Sequence, residues 1–117
     1  EEAQKELLNF GTWVKSDVIK IPHHGAKSSA YEPFFEIVSP KIAVISSGKG
    51  NPFGHPHKDM LDIISNSDVY RTDVDGAIKV SITESSIKVK TFREFGFMEA
   101  KSFKDELRNV KCLFETW

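Results

Sequence analysis

The spacing of apolar positions along this chain changes period several times, and each change predicts an element. Residues 3–10 carry Ala3, Leu7, Leu8 and Phe10 at near-helical spacing and stop at Gly11, which predicts a short helix closed by a glycine able to take a positive φ. Asp17-Val18-Ile19-Lys20-Ile21 is a β-branched run ended by Pro22, whose missing amide proton cannot extend a ladder, so a strand is expected there. A second helix is expected from Ser28 and Ser29 onward. Ser29 and Glu32 have capping-box spacing, Pro33 falls in the first turn, and Phe34, Phe35 and Val38 form an apolar stripe that ends near Ser39-Pro40. Residues 41–46 are almost continuously apolar, the pattern of a strand covered on both faces in the middle of a sheet.

A glycine-rich loop over residues 47–54 leads to His55-Pro56-His57, where Pro56 suits the first position of a helix with Met60, Leu61, Ile63 and Ile64 on its inner face. Val69-Tyr70-Arg71-Thr72 reads as a short strand. The turn signal Asp75-Gly76 then precedes two alternating segments, residues 77–82 and 87–92, which predict an antiparallel pair. Beyond them, residues 102–109 read as a helix and residues 110–116 as a terminal strand. The result is an α/β order, βαβ-type units followed by an antiparallel β-meander, in one domain over residues 1–117.

Composition narrows the function classes. No apolar run approaches the roughly 20 residues that cross a bilayer, so no membrane contact is expected of this chain itself. The N-terminus lacks the basic, apolar and small-residue order of a signal peptide. A net charge of −1 supplies no global positive field, so any contact with nucleic acid has to be local. Cys112 is the single cysteine, which excludes an internal disulfide and every multi-cysteine zinc motif.

In parallel sheets, ligands bind beyond the carboxyl ends of the strands. The unusual residues of this chain fall there: His23-His24-Gly25 after the first strand, residues 48–57 after the second, and Arg71-Thr72-Asp73 after the third. Two adjacent imidazoles before a glycine suit one metal ligand and one partner for a substrate oxyanion, or equally one packed and one exposed ring. His55-Pro56-His57-Lys58-Asp59-Met60 has the spacing of H-x-H-x-D-H, but methionine is a poor ligand for zinc or manganese, and the apolar period from Pro56 commits the segment to a helix. His55 therefore reads as a cap or loop contact and His57 as a solvated first-turn residue. Arg71 and Asp73 suit either a structural ion pair or, through Arg71, a bidentate grip on a phosphoryl oxygen.

Three segments in order, Asp17-Val18-Ile19-Lys20-Ile21-Pro22-His23-His24-Gly25-Ala26-Lys27-Ser28-Ser29, Ile45-Ser46-Ser47-Gly48 through Asn51-Pro52-Phe53-Gly54-His55-Pro56, and Tyr70-Arg71-Thr72-Asp73 with Gly76-Ala77-Ile78, resemble the C-terminal half of the ComEC-type metallo-β-lactamase domain. The resemblance covers about residues 1–80 and leaves residues 92–117 unassigned. It implies the C-terminal part of a metallo-β-lactamase-like αββα sandwich, with two zinc or manganese ions that hydrolyse phosphodiesters in a DNA-uptake protein. It implies His24 as a metal ligand and His23 as a catalytic group facing the phosphate. Ser28, Asn51, His55, Arg71 and Asp73 are expected to serve the substrate side. Ala26 and Phe53 stand where the family usually has serine and tyrosine.

The family's main H-x-H-x-D-H motif is expected upstream of Glu1. The chain alone is accordingly expected to be inactive and to hold no metal tightly, with the N-terminal half of the same domain as its partner, DNA as the substrate of the parent protein and self-association into a homo-oligomer. The parent is expected to be attached to a membrane-embedded uptake protein. Two other readings use the same residues: a small module that binds an anion or nucleotide without chemistry, and an interaction domain in which the histidines cap and pack.

Overall fold

A computed structural model of the chain describes residues 1–92 and contains two compact units, Glu1–Val74 and a second beginning at Asp75. The helix expected over residues 102–109, the strand over residues 110–116 and Cys112 lie outside the described residues. The architecture is mixed α/β. Among the described residues, no helix is long and apolar enough to cross a membrane.

The first unit is organised by three parallel strands, β1 (Val18–Lys20), β2 (Ile42–Ile45) and β3 (Asp68–Arg71), in the order β1-β2-β3. β2 sits in the middle, as its apolar run predicts, with Ile19 opposite Ala43 and Val44 opposite Tyr70. Its two faces differ. Ala43 and Ile45 are completely buried while Ile42 and Val44 are half-buried, so the strand is sealed on one face only.

Helices α2 (Glu32–Val38) and α3 (Lys58–Ile63) connect the strands. Phe34, Phe35 and Val38 from the first, with Met60 from the second and the adjoining Ile64, meet Ile21, Ala43 and Ile45 in one core. The Phe34 and Phe35 rings meet edge to face at 5.3 Å, a favoured aromatic geometry.

Three boundaries differ from expectation. α1 (Glu2–Leu7) gives way to a 3-10 segment, Leu8–Val14, that continues beyond Gly11, whose φ of 54° and ψ of −131° form a kink rather than an end. Its expected apolar stripe is not the buried one: Leu7 and Phe10 are exposed, while Gln4 is buried and donates from Nε2 to the Ser29 carbonyl at 2.9 Å.

The capping box at Ser29 does not form. Starting the helix there would put Pro33 where an amide must bond the carbonyl four residues back, and proline has none to give. The chain instead makes a 3-10 turn, Lys27–Ser29, and starts α2 with Tyr31 as cap and Pro33 in the first turn. Likewise Pro56 does not open α3. It is buried ahead of the cap residue His57, because the His57 amide bonds the Gly25 carbonyl at 2.9 Å instead of entering a helix.

A one-turn helix, α4 (Thr72–Asp75), follows β3. In the second unit β4 (Ala77–Ile82) and β5 (Ile87–Phe92) pair antiparallel from Ala77 opposite Phe92 to Ile82 opposite Ile87, the hairpin that the alternation predicts.

Candidate functional site

Beyond the carboxyl ends of β1, β2 and β3, side chains tie the three loops into one rim. After β1 the backbone makes an unusual turn: His23 (φ 49°, ψ 44°) and His24 (φ 56°, ψ 20°) are both left-handed, and Gly25 follows at φ 79°. Each left-handed non-glycine residue costs on the order of 1–2 kcal/mol, so such a pair persists only where its surroundings hold it.

Four hydrogen bonds do so. The Ala26 amide returns to the His23 carbonyl at 2.9 Å, and the His57 amide reaches the Gly25 carbonyl at 2.9 Å. The Lys27 amide donates to His57 Nδ1 at 2.8 Å, and His24 Nδ1 lies 2.7 Å from the Ser46 carbonyl.

Gly25 also packs against Pro56 so closely that a Cβ on Gly25 would stand 2.5 Å from the Pro56 Cβ. The glycine thus serves both the left-handed turn and the approach of the second loop. That approach places the His55 ring 5.9 Å from His23 and 6.1 Å from His24, nearly parallel to the latter, while His57 meets His55 edge-on at 4.9 Å. Four imidazoles from two loops therefore form one cluster.

Their ring nitrogens are not equivalent. A carbonyl only accepts, so in the bond to Ser46 the proton is on His24 Nδ1, which in the neutral ring leaves the lone pair on Nε2. This is the arrangement in which a carbonyl behind the ring orients an imidazole toward a metal. His24 itself is exposed.

His57 is spent structurally. Nδ1 accepts from Lys27, and Nε2 donates to the Phe53 carbonyl at 3.1 Å. The expectation of a solvated His57 is therefore corrected: it is a strut between the loops. His55 is half-buried, and burial, followed by the fields of His57, His23 and His24, holds its pKa below the ordinary imidazole value.

Asn51 organises the second loop. Its amide nitrogen donates to the Gly48 carbonyl at 2.9 Å and the His55 carbonyl at 2.7 Å, while its oxygen accepts from the Phe53 amide at 3.2 Å and the His55 amide at 3.0 Å. Both amide protons and the oxygen are engaged within the loop, so in this arrangement Asn51 positions His55. Ser28 is exposed in the 3-10 turn and, among the described hydrogen bonds, has none to the imidazoles.

At the third strand end, Arg71 donates to Asp73 twice, from Nε at 3.1 Å and from Nη2 at 2.6 Å, a fork that realises the ion-pair alternative. Arg71's hydrogen bonds, ahead of its charge, hold the Asp73 carboxyl below the usual carboxylate range. The Ser47 hydroxyl is buried and, among the described residues, has no hydrogen-bond partner.

Thr72 forms the link between strands that the sequence analysis missed. Its hydroxyl accepts from the Ser47 amide at 2.9 Å and donates to the Ser47 carbonyl at 2.8 Å. That clamp fixes the peptide next to Ser46, whose carbonyl orients His24. The position of Thr72 within Arg71-Thr72-Asp73 was the only sequence signal for it.

Among the described residues no group of three or more His, Cys, Asp or Glu side chains is arranged to hold a metal ion. His24, with the Ser46 carbonyl behind its ring, has the donor geometry of a single metal ligand.

Comparison with known proteins now identifies the relatives. The chain is 40% identical over 81 residues to ComE operon protein 3 of Bacillus subtilis, a match covering 68% of this chain and 10% of the relative. It is 33% identical over 94 residues to Recombination protein 2 of Haemophilus influenzae, covering 79% and 12%, and 30% identical over 90 residues to Competence protein ComA of Neisseria gonorrhoeae, covering 75% and 13%.

The chain is homologous to a segment of competence proteins.

It spans about a tenth of the length of the curated relatives it matches. No family model and no solved structure matches this competence-protein segment. The relation thus rests on sequence, and the strand-end rim adds what the segment can contribute chemically: one oriented imidazole, a cluster of three more, and an Arg71–Asp73 fork on the same edge of the sheet.

Proposed function

We propose that this segment forms one wall of a metal-dependent phosphodiesterase site that acts on DNA during uptake in competence. In this reading it is the C-terminal part of a metallo-β-lactamase-like domain, and residues elsewhere in the longer protein supply most of the metal ligands. The observation that carries the reading is the bond from His24 Nδ1 to the Ser46 carbonyl at the carboxyl end of the parallel sheet, beside three further imidazoles.

The metal, zinc or manganese, would polarise the phosphoryl group and make a bound water nucleophilic. This chain's own residues have the following roles. His24 offers the Nε2 lone pair as one ligand. His23, exposed on the same turn, faces the phosphate. His55, whose lowered pKa favours the neutral ring, and Asp73, held by Arg71, shape the floor. The strained turn makes sense in this setting, because a left-handed pair displays two adjacent rings from a backbone held by the four hydrogen bonds around it.

The test is cleavage of labelled DNA by the full-length protein with added manganese or zinc, with and without a chelator. Cleavage should vanish on chelation and return with metal, and H24A should lower it by about a hundred-fold or more. Undiminished cleavage by H24A, or DNA binding with no cleavage under any metal, would reject the hydrolase reading, and the latter result would favour a binding module.

A further inference from the structure

Phe53 is 70% exposed, yet it is one of the most firmly placed residues of the rim. Its amide donates to Asn51 Oδ1 at 3.2 Å, and its carbonyl accepts from His57 Nε2 at 3.1 Å. Its ring lies over the His55 ring with centroids 5.7 Å apart and planes 25° apart. Exposed phenylalanine gains little from the hydrophobic effect, and the contact with His55 occupies only one face of the ring. The polar scaffold therefore holds an apolar plate at the edge of the imidazole cluster, with one face on His55 and the rest open to solvent.

We infer that Phe53 is a stacking platform for an unpaired nucleobase of the bound DNA, a positioning residue at the edge of the rim. The inference rests on the phosphodiesterase reading above and deepens it. A flat aromatic held rigidly beside groups suited to a phosphate matches a nucleotide, whose base and phosphate are joined a few ångströms apart, and stacking tolerates any base because every base has a π-face. The same glycine-rich loop carries Lys49, exposed four residues before Phe53, a cation suited to a neighbouring backbone phosphate. A base paired within a duplex has its faces covered by its neighbours, so the platform discriminates in favour of single strands.

The experiment measures binding of the full-length protein, in chelator to prevent cleavage, to three probes of equal length: an oligothymidylate, an abasic oligonucleotide with the same phosphates, and a duplex. Wild type should prefer the oligothymidylate to the other two. F53A should weaken oligothymidylate binding by about ten-fold, the order of one base–aromatic stack, and leave abasic binding unchanged. F53W, which keeps a flat aromatic, should retain the preference and report the stacked base through quenched indole fluorescence. Equal binding of oligothymidylate by F53A and wild type would overturn the inference. So would an equal loss on both single-stranded probes, which would mean a collapsed loop, and so would a wild-type preference for duplex. Any of these alongside metal-dependent cleavage rejects the platform alone, whereas base-dependent binding without cleavage rejects only the hydrolase reading.

Discussion

Replacing Gly25 by alanine tests the packing on which the whole rim depends. The added Cβ would meet Pro56 Cβ at 2.5 Å and Pro56 Cα at 3.1 Å. Carbon atoms in contact sit about 3.5–4.0 Å apart, so the two loops must part by about 1 Å. Pro56 is buried and Gly25 is buried, which leaves no flexible side chain to absorb the movement.

Two costs add. A φ of +79° costs a residue with a Cβ about 1–2 kcal/mol, and forcing apart a packed contact costs about 1–3 kcal/mol, part of which is the weakened bond from the His57 amide to the Gly25 carbonyl. The sum, about 2–5 kcal/mol, is a large share of the 5–15 kcal/mol or so that holds a typical domain together.

Two controls separate the parts. Gly50 has a φ of +66° and nothing within 4 Å of its virtual Cβ, so G50A shows the backbone cost alone; at Gly48 the nearest atom is Asn51 Cβ at 3.9 Å, an ordinary contact, and G48A should stay within about 0.5 kcal/mol of wild type. Urea unfolding followed by far-ultraviolet circular dichroism reads all three variants. Trp13 is 91% exposed, so its own fluorescence would report little on the fold. If G25A unfolds within about 0.5 kcal/mol of G50A, the close approach of Gly25 to Pro56 is refuted, and with it the account of how the imidazoles are gathered.

Three further outcomes follow from the same geometry. T72V keeps the shape of the side chain but orphans the Ser47 amide and carbonyl, which should cost about 1–3 kcal/mol in urea unfolding, while T72S should recover most of it; equal stability of T72V and wild type would rule out the clamp. H57A removes the acceptor of the Lys27 amide, whose hydrogen exchange should quicken by about ten-fold, and an unchanged rate would show that His57 is no strut. The pH dependence of the unfolding midpoint should show two contributions. Because the folded His55 binds a proton less readily than the ordinary imidazole at 6.5, stability is undiminished above that pH and declines as pH falls below it, a slope that H55Q should flatten. Because the folded Asp73 is more acidic than the ordinary carboxyl at 3.8, its stabilisation is complete above that pH and lost as pH drops through the lower folded value, and D73N should remove it. Slopes that persist in the two variants would contradict these assignments.

Much of the fold was legible in the chain because it is decided locally. The apolar run at Ile42–Ile45 places that strand in the centre of the sheet, and the alternation in Ala77–Ile82 and Ile87–Phe92 makes the hairpin, whereas the capping-box spacing at Ser29 misplaces the start of α2, which opens at Glu32 with Pro33 in its first turn. The three strand-end motifs were also visible, since parallel connections bring successive carboxyl ends to one edge. Side-chain assignments were harder to read. A partner 30 residues away decides that His57 is a strut, and 25 residues separate Thr72 from the peptide it clamps. Neither spacing has a period that a sequence displays. His23 and His24 are left-handed against their own preference because tertiary hydrogen bonds outweigh a cost of about 1–2 kcal/mol per residue, and no local pattern announces that. Sequence determined which elements form and which loops meet, through periodicity and backbone chemistry; the tertiary structure alone decided which ring nitrogens are spent and which face outward, because that depends on long-range partners.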